Sequence, residues 1–231
     1  AHTRGVLIGS PSNPTGTTIQ WEALAQLCDR VLARGGFVLV DEIYQGLTYD
    51  HAPATALSLD PRVAVINSFS KYFGMTGWRL GWIVAPPEWV AALERLSQNL
   101  YLCASAIAQH AALACFEADS LEVFEQRREQ FRQRRNFLLP ALRQLGFGVP
   151  VVPDGAFYVY ADISTLTRAD GDRFDGSSQF ARRLLHEAGV CLVPGKDFGR
   201  FDAERYVRLS YATSMEKLQE AIRRIGAYLG R

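Results

Sequence analysis

Phe37-Val38-Leu39-Val40-Asp41-Glu42-Ile43-Tyr44 is the stretch that sets the fold class. Its first four residues are a continuous apolar run, rich in aromatic and β-branched types, that stops abruptly on two acids. Such a run suits a strand buried on both faces. Just upstream, Leu24, Leu27 and Val31 recur at helical spacing between Ile19 and Leu32, and Gly35-Gly36 supplies a helix stop. Gly5 to Gly9 reads as another short buried strand, and Val63 to Ile66 and Leu80 to Val84 as two more. Strand, helix, strand, with polar residues at the C-terminal ends of the apolar runs, is the pattern of an α/β sheet.

Further along, Pro86 to Phe116 reads as helical, with Trp89, Leu93, Leu96 and Leu100 on one face. After a polar break at residues 117–120, Leu121 to Leu145 reads as a long helix. Its charged run (Glu125, Arg127, Arg128, Glu129, Arg132, Arg134, Arg135) mixes acids with bases and so predicts a solvated face, not a phosphate-binding stripe. Beyond Gly146 the rhythm changes. Strands are expected at Val149–Val152, Phe157–Ala161, Val190–Val193 and Arg205–Tyr211, a helix at Ser178–Ala188, and a closing helix at Ser214–Leu229 with Ser214 as N-cap. The expected organisation is a mainly parallel α/β portion over residues 1–118 followed by a smaller α+β domain over residues 119–231.

Composition narrows the function classes. The 231 residues are 48% hydrophobic and 21% charged with a net charge of +1, which excludes disorder and any strong field for nucleic acid or an anionic membrane. No apolar run approaches the roughly 18 residues of a spanning helix, and the first residues do not read as a signal peptide. Cys28, Cys103, Cys115 and Cys191 lie in apolar stretches without a CxxC pair, which predicts reduced core thiols in a cytoplasmic protein. The four histidines have no ligand-like spacing, so no metal site is expected. Neither a Gly-x-Ser-x-Gly elbow nor a glycine-rich nucleotide loop occurs. Only three of the 25 basic Lys and Arg residues are lysines (Lys71, Lys196 and Lys217).

Four local motifs follow the strand ends in order, where an α/β sheet presents its site. They are Ser12-Asn13-Pro14-Thr15-Gly16, Asp41-Glu42-Ile43-Tyr44, Ser68-Phe69-Ser70-Lys71 and Gly77-Trp78-Arg79-Leu80-Gly81-Trp82; Arg208, in Val207-Arg208-Leu209-Ser210, comes far downstream. Singly, each has a plain reading: a turn, a capping acid, a surface lysine. Trp78 and Trp82 read first as core aromatics. In this order the set resembles the pyridoxal-phosphate aminotransferases of fold type I, class I/II, and the resemblance runs from Gly9 to the C-terminus.

The resemblance implies a cofactor, pyridoxal 5'-phosphate, and a role for each residue. Lys71 resembles the lysine whose amine forms a Schiff base with the cofactor aldehyde and then shuttles the substrate Cα proton; arginine could do neither. Asp41 resembles the carboxylate that keeps the pyridine nitrogen protonated. Tyr44 and Asn13 resemble the donors to the ring oxygen. Ser68 and Arg79, with Ser70 as a lesser member, resemble the phosphate ligands. Arg208 resembles the arginine that clamps the substrate α-carboxylate, with Asn13 also implied in substrate binding, and from the second domain Arg208 would draw the two domains together. Gly155 to Tyr158 matches a pocket-lining segment of the family and equally a plain core strand. Gln98 to Tyr101 would reach a neighbouring subunit. The partners implied are an amino acid and a 2-oxo acid, in a homodimer. Family members carry a substantial segment ahead of the Asn-Pro-Thr-Gly strand, so the chain reads as a C-terminal portion of such an enzyme, one expected to hold cofactor poorly by itself. A lyase or decarboxylase using the same lysine and aspartate, a ligand-sensing domain of a transcription regulator, and a non-catalytic remnant remain open alternatives.

Overall fold

A computed structural model describes residues 2–231. The chain forms two compact units. One comprises the residues up to Ser12 together with Thr18–Arg128 and Asp154–Ala156; the other comprises Asn13–Thr17, Glu129–Pro153 and Phe157–Arg231.

The first unit is built on a four-stranded sheet in the order β1 (Gly5–Gly9), β2 (Phe37–Asp41), β3 (Ala64–Ser68), β4 (Gly81–Val84). β1, β2 and β3 are parallel, and β4 returns antiparallel to β3. The crossover from β1 to β2 is helix α1 (Trp21–Leu32), which ends where Gly35 takes a left-handed φ of 69°. Leu24, Cys28 and Leu32 on α1 pack against Val38, Val40 and Val65, and each leucine so buried is worth about 1.5–3 kcal/mol.

Burial on both faces of β2 does not hold within this chain. Val38 and Val40 are fully buried beneath α1, whereas Phe37, on the opposite pleat, is exposed, as is every residue of β4. Helix α2 (Pro87–Leu100) has no buried residue, although Val90, Leu96 and Leu100 are apolar. The single helical stretch expected over 86–116 is two helices, α2 and α3 (Ala106–Leu113), followed by a short 3-10 turn. The break falls at Tyr101–Ser105, where Leu102 takes a positive φ and the Ser105 side chain caps α3.

Helix α4 (Ala118–Gln144) runs from the first unit into the second. Of the charged residues expected on a solvated face, only Glu125 and Arg127 are exposed; Arg128, Glu129, Arg132 and Arg134 are half-buried, and Arg135 is only 5% exposed and donates to Pro153 O at 3.1 Å, so that position is structural. The second unit carries a three-stranded antiparallel sheet, β5 (Tyr158–Asp162), β6 (Val193–Pro194) and β7 (Tyr206–Ser210), in the order β5-β7-β6. No strand forms at Val149–Val152: Pro150 and Pro153 each remove a ladder donor there. The strand expected from Val190 shrinks to Val193–Pro194. Helix α5 (Ser177–Arg183) passes into a π turn at Leu184–Ala188, and helix α6 (Met215–Leu229) has the expected Ser214 cap, the serine hydroxyl accepting from Lys217 N. Cys28 and Cys115 are buried thiols, but Cys103 and Cys191 are exposed, so the uniform core placement expected of the cysteines fails for two of them.

Candidate active site

The C-terminal ends of β2 and β3 lie side by side, since Asp41 pairs with Ile66 and Ser68 lies two residues farther along β3. In a parallel sheet this is the edge at which loops converge and ligands bind. Asp41 terminates β2 half-buried, and its Oδ1 accepts from Ile43 N at 3.0 Å. This tight turn brings the chain round to Tyr44, which is buried. Between them Glu42 points the other way: it is buried, and its Oε1 accepts from Ala56 N at 2.7 Å. Burial pushes the Glu42 carboxyl above its ordinary range, against the lowering effect of its hydrogen bonds.

Lys71 follows β3 in a loop braced by its own serines. The Ser68 hydroxyl accepts from Ser70 N at 3.0 Å and lies 2.9 Å from the Ser70 hydroxyl and 3.0 Å from Leu80 O. Thr76 Oγ1 donates to Ser70 O. Beneath the loop, Phe69, Met75, Leu80, Cys115 and Phe124 form a separate apolar cluster. On this base the Lys71 ammonium comes within 5.6 Å of the Tyr44 ring centroid. The sequence-predicted pair from two different strand ends is therefore brought together.

Arg79 precedes β4 and is exposed, its Nη1 donating to Thr76 O at 2.9 Å. Its backbone is left-handed (φ 55°, ψ 47°), a conformation that disfavours a side chain by about 1–2 kcal/mol. Glycine would be less strained there, so the arginine puts a guanidinium beside the strand ends at a cost in backbone energy. Gly81 is required for a different reason: a Cβ there would stand 2.8 Å from Asn67 O, in the β3–β4 pairing. Trp78 and Trp82 are not core aromatics; they are 46% and 37% exposed, and Trp82 meets Phe69 edge-on at 5.0 Å.

In the second unit, β7 places Arg208 opposite Tyr160 on one side and Val193 on the other. Its guanidinium carbon lies 4.3 Å from the Tyr158 ring centroid and 4.5 Å from that of Phe198. Its Nη1 donates to Asn13 Oδ1 at 2.6 Å, which joins two residues 195 apart in sequence. Nε is buried and has no hydrogen-bond partner. A plane held between two rings, with one donor committed and another wanting an acceptor, suits a planar anion such as a carboxylate. Of this group Phe198 was not anticipated. It lies in no motif and reaches Arg208 only because β6 pairs with β7.

The donor set of the first unit fits pyridoxal phosphate. It offers one primary amine, one carboxylate at a strand end, a phenol, two hydroxyls and a guanidinium, which match an aldehyde, a pyridine nitrogen, a ring oxygen and a phosphate. Among the described residues no cluster of His, Cys, Asp and Glu could hold a metal ion, and no helix is long and apolar enough to cross a membrane.

The family model for aminotransferase class I and II matches residues 1–225. The chain is 38% identical over 228 residues to the valine–pyruvate aminotransferase of Mycobacterium tuberculosis, covering 98% of this chain and 57% of that protein. It is 38% identical to the aspartate aminotransferase of Geobacillus stearothermophilus, covering 98% and 58%. The crystal structure of an aminotransferase from Mycobacterium tuberculosis superposes with a TM-score of 0.90 at 38% identity, over 98% of this chain and 57% of that one. That of the Thermotoga maritima aspartate aminotransferase gives 0.86 at 34% identity, over 99% and 57%. The chain thus spans somewhat more than half the length of these relatives. Their fold is the type I aminotransferase fold, their cofactor pyridoxal phosphate, and the chain belongs to the class I and II aminotransferase family.

Proposed function

We propose that the protein transfers an amino group between an L-amino acid and a 2-oxo acid, with pyridoxal phosphate held by Lys71. The observation that carries this reading is the approach of the Lys71 amine to Tyr44 at the strand ends that also present Asp41. Bound pyridoxal phosphate supplies an aldehyde and an electron-accepting ring that stabilises negative charge at the substrate Cα. Asp41 holds the proton on the ring nitrogen, and the Tyr44 phenol, with Asn13, donates to the ring oxygen. Ser68, Ser70 and Arg79 bind the phosphate. Lys71 would hold the cofactor through its aldehyde carbon, and the same amine, a base when free and an acid when protonated, would be the group that moves the proton at the substrate Cα. Arg208, steadied by Tyr158, Phe198 and Asn13, holds the substrate carboxylate. In this reading residues 1–118 belong to the cofactor domain and residues 119–231 form the small domain. The protein works as a cytoplasmic homodimer on small-molecule substrates, without nucleic acid or membrane.

The test is borohydride fixation. With added pyridoxal phosphate, reduction should leave the cofactor mass on the Lys71 peptide, and Lys71→Ala should abolish it. Fixation that persists in Lys71→Ala would remove the basis of the reading. Release of a 2-oxo acid in a single turnover separates amino-group transfer from elimination or decarboxylation.

A further inference from the structure

Tyr72 follows Lys71 directly and has no part in the roles above. Its ring lies against Gly46: a Cβ on that glycine would stand 2.6 Å from Tyr72 Cγ and 2.8 Å from Tyr72 Cβ, so the contact admits no larger residue unless the ring shifts. Gly46 lies in the short turn Gln45–Leu47 that immediately follows Tyr44. Other sides of the ring meet Phe73 at 5.1 Å and Phe124 at 5.5 Å, both edge-on. The hydroxyl donates to Glu125 Oε1 on α4 at 2.6 Å. The second oxygen of Glu125 accepts from Arg128 Nε at 2.8 Å, and Arg128 Nη1 donates to Thr48 O at 2.9 Å.

These contacts close a circuit. It leaves the Lys71 backbone through Tyr72, crosses to α4 at Glu125, returns through Arg128 to Thr48, and meets Tyr72 again at Gly46. The polar members hold the protonation states the circuit needs. Burial pushes the Tyr72 phenol up, reinforced by the Glu125 carboxylate, so it stays a donor. Burial would also raise Glu125, but hydrogen bonds from Tyr72 and Arg128 outweigh it and hold that carboxyl below its usual range.

A lysine side chain is long and has many rotamers to lose when fixed, so its reach is best set by anchoring the backbone that carries it. We infer that Tyr72 is a positioning residue: by clamping the Lys71 backbone to the turn after Tyr44, it sets where the Lys71 amine stands. The inference rests on the reading of Lys71 as the amine that takes the cofactor aldehyde. Misplacement by about 1 Å at a reacting centre can cost up to about 100-fold. Tyr72→Phe keeps the ring in place and removes one anchor, so a smaller effect is expected.

Two probes separate positioning from general damage. Pyridoxine 5'-phosphate lacks the aldehyde and reports on the ring and phosphate contacts alone; borohydride fixation with pyridoxal phosphate reports on the amine. In Tyr72→Phe of the intact protein, the apparent constant for fixation at Lys71 should fall about five- to tenfold. The Kd for pyridoxine 5'-phosphate should stay within about twofold of wild type. Arg128→Gln opens the circuit at its far end without touching Tyr72 and should give the same pattern. In cofactor-free protein, amide exchange should accelerate in residues 44–49 and 69–75 together in both variants. Unchanged fixation in both variants, or an equal loss for both probes, would overturn the inference. If wild-type Lys71 is never fixed, the proposed function itself fails and takes this inference with it. That outcome is distinct, because the variants and wild type would then be indistinguishable.

Discussion

Replacing Arg208 by lysine keeps the positive charge and removes the planar fork, so the result measures what the fork contributes. The guanidinium already stacks on Tyr158 and Phe198 within the fold, so those contacts are assigned to folding and not to binding. Two parallel charge-assisted bonds to a substrate carboxylate belong to binding. Lysine can retain one, and the other is worth about 1.5–3 kcal/mol, or about 10- to 150-fold in kcat/KM. Stability should move little, because removing the unpaired Nε relieves about 1–3 kcal/mol while losing the stacked plane costs about 1–2 kcal/mol. The assay compares the amino-acid half-reaction with that of the corresponding amine, which lacks the carboxylate. Arg208→Lys should lose activity on the amino acid and none on the amine. An equal loss on both, or no loss on either, would refute the carboxylate argument even if the protein were a functioning aminotransferase.

Two further outcomes test the local physics. Arg79→Gly should relieve about 1–2 kcal/mol of left-handed strain against a glycine entropy cost of about 0.5–1 kcal/mol, so stability measured by urea unfolding should hold or rise by up to about 1.5 kcal/mol. The same variant should bind pyridoxine 5'-phosphate at least about tenfold more weakly, having lost a charge-assisted donor; stability lost with affinity intact would reverse the assignment. Glu42 titrates above its unfolded value of 4.5 because it is buried. The folded state therefore binds the proton more readily than the unfolded chain, and stability should fall as pH rises from about 4.5 through the raised value. Glu42→Gln keeps an acceptor for Ala56 N and should flatten that part of the curve in unfolding titrations at successive pH values.

What could be read from the residue order was whatever depends on strand ends. Apolar runs that stop on Asp41 and Ser68 place those side chains at one sheet edge, because parallel strands joined by crossovers point the same way. That logic reaches Lys71, which is three residues past Ser68, but it stops at side chains whose neighbours are set by pairing across the chain. Phe198 meets Arg208 only through the β6–β7 register, and Tyr72 meets Gly46 only because two loops converge. Neither contact leaves a periodic trace. The tryptophans failed for a related reason: aromatic content signals burial against something, and Trp78, Trp82 and the apolar residues of α2 are not buried within this chain. Val149–Val152 failed on a local signal that was present and outweighed, since two prolines within five residues argue against a paired strand more strongly than three valines argue for one. The same weighing explains Arg79. Three glycines around it, Gly74, Gly77 and Gly81, suggest that the strained position should fall on one of them; Gly74 is left-handed, yet the strain at the turn into β4 falls on the arginine itself. A chain with glycine available on both sides and arginine at the strained position has placed a guanidinium at the strand ends at a cost in backbone energy. That cost is the reason to expect Arg79→Gly to separate stability from phosphate binding.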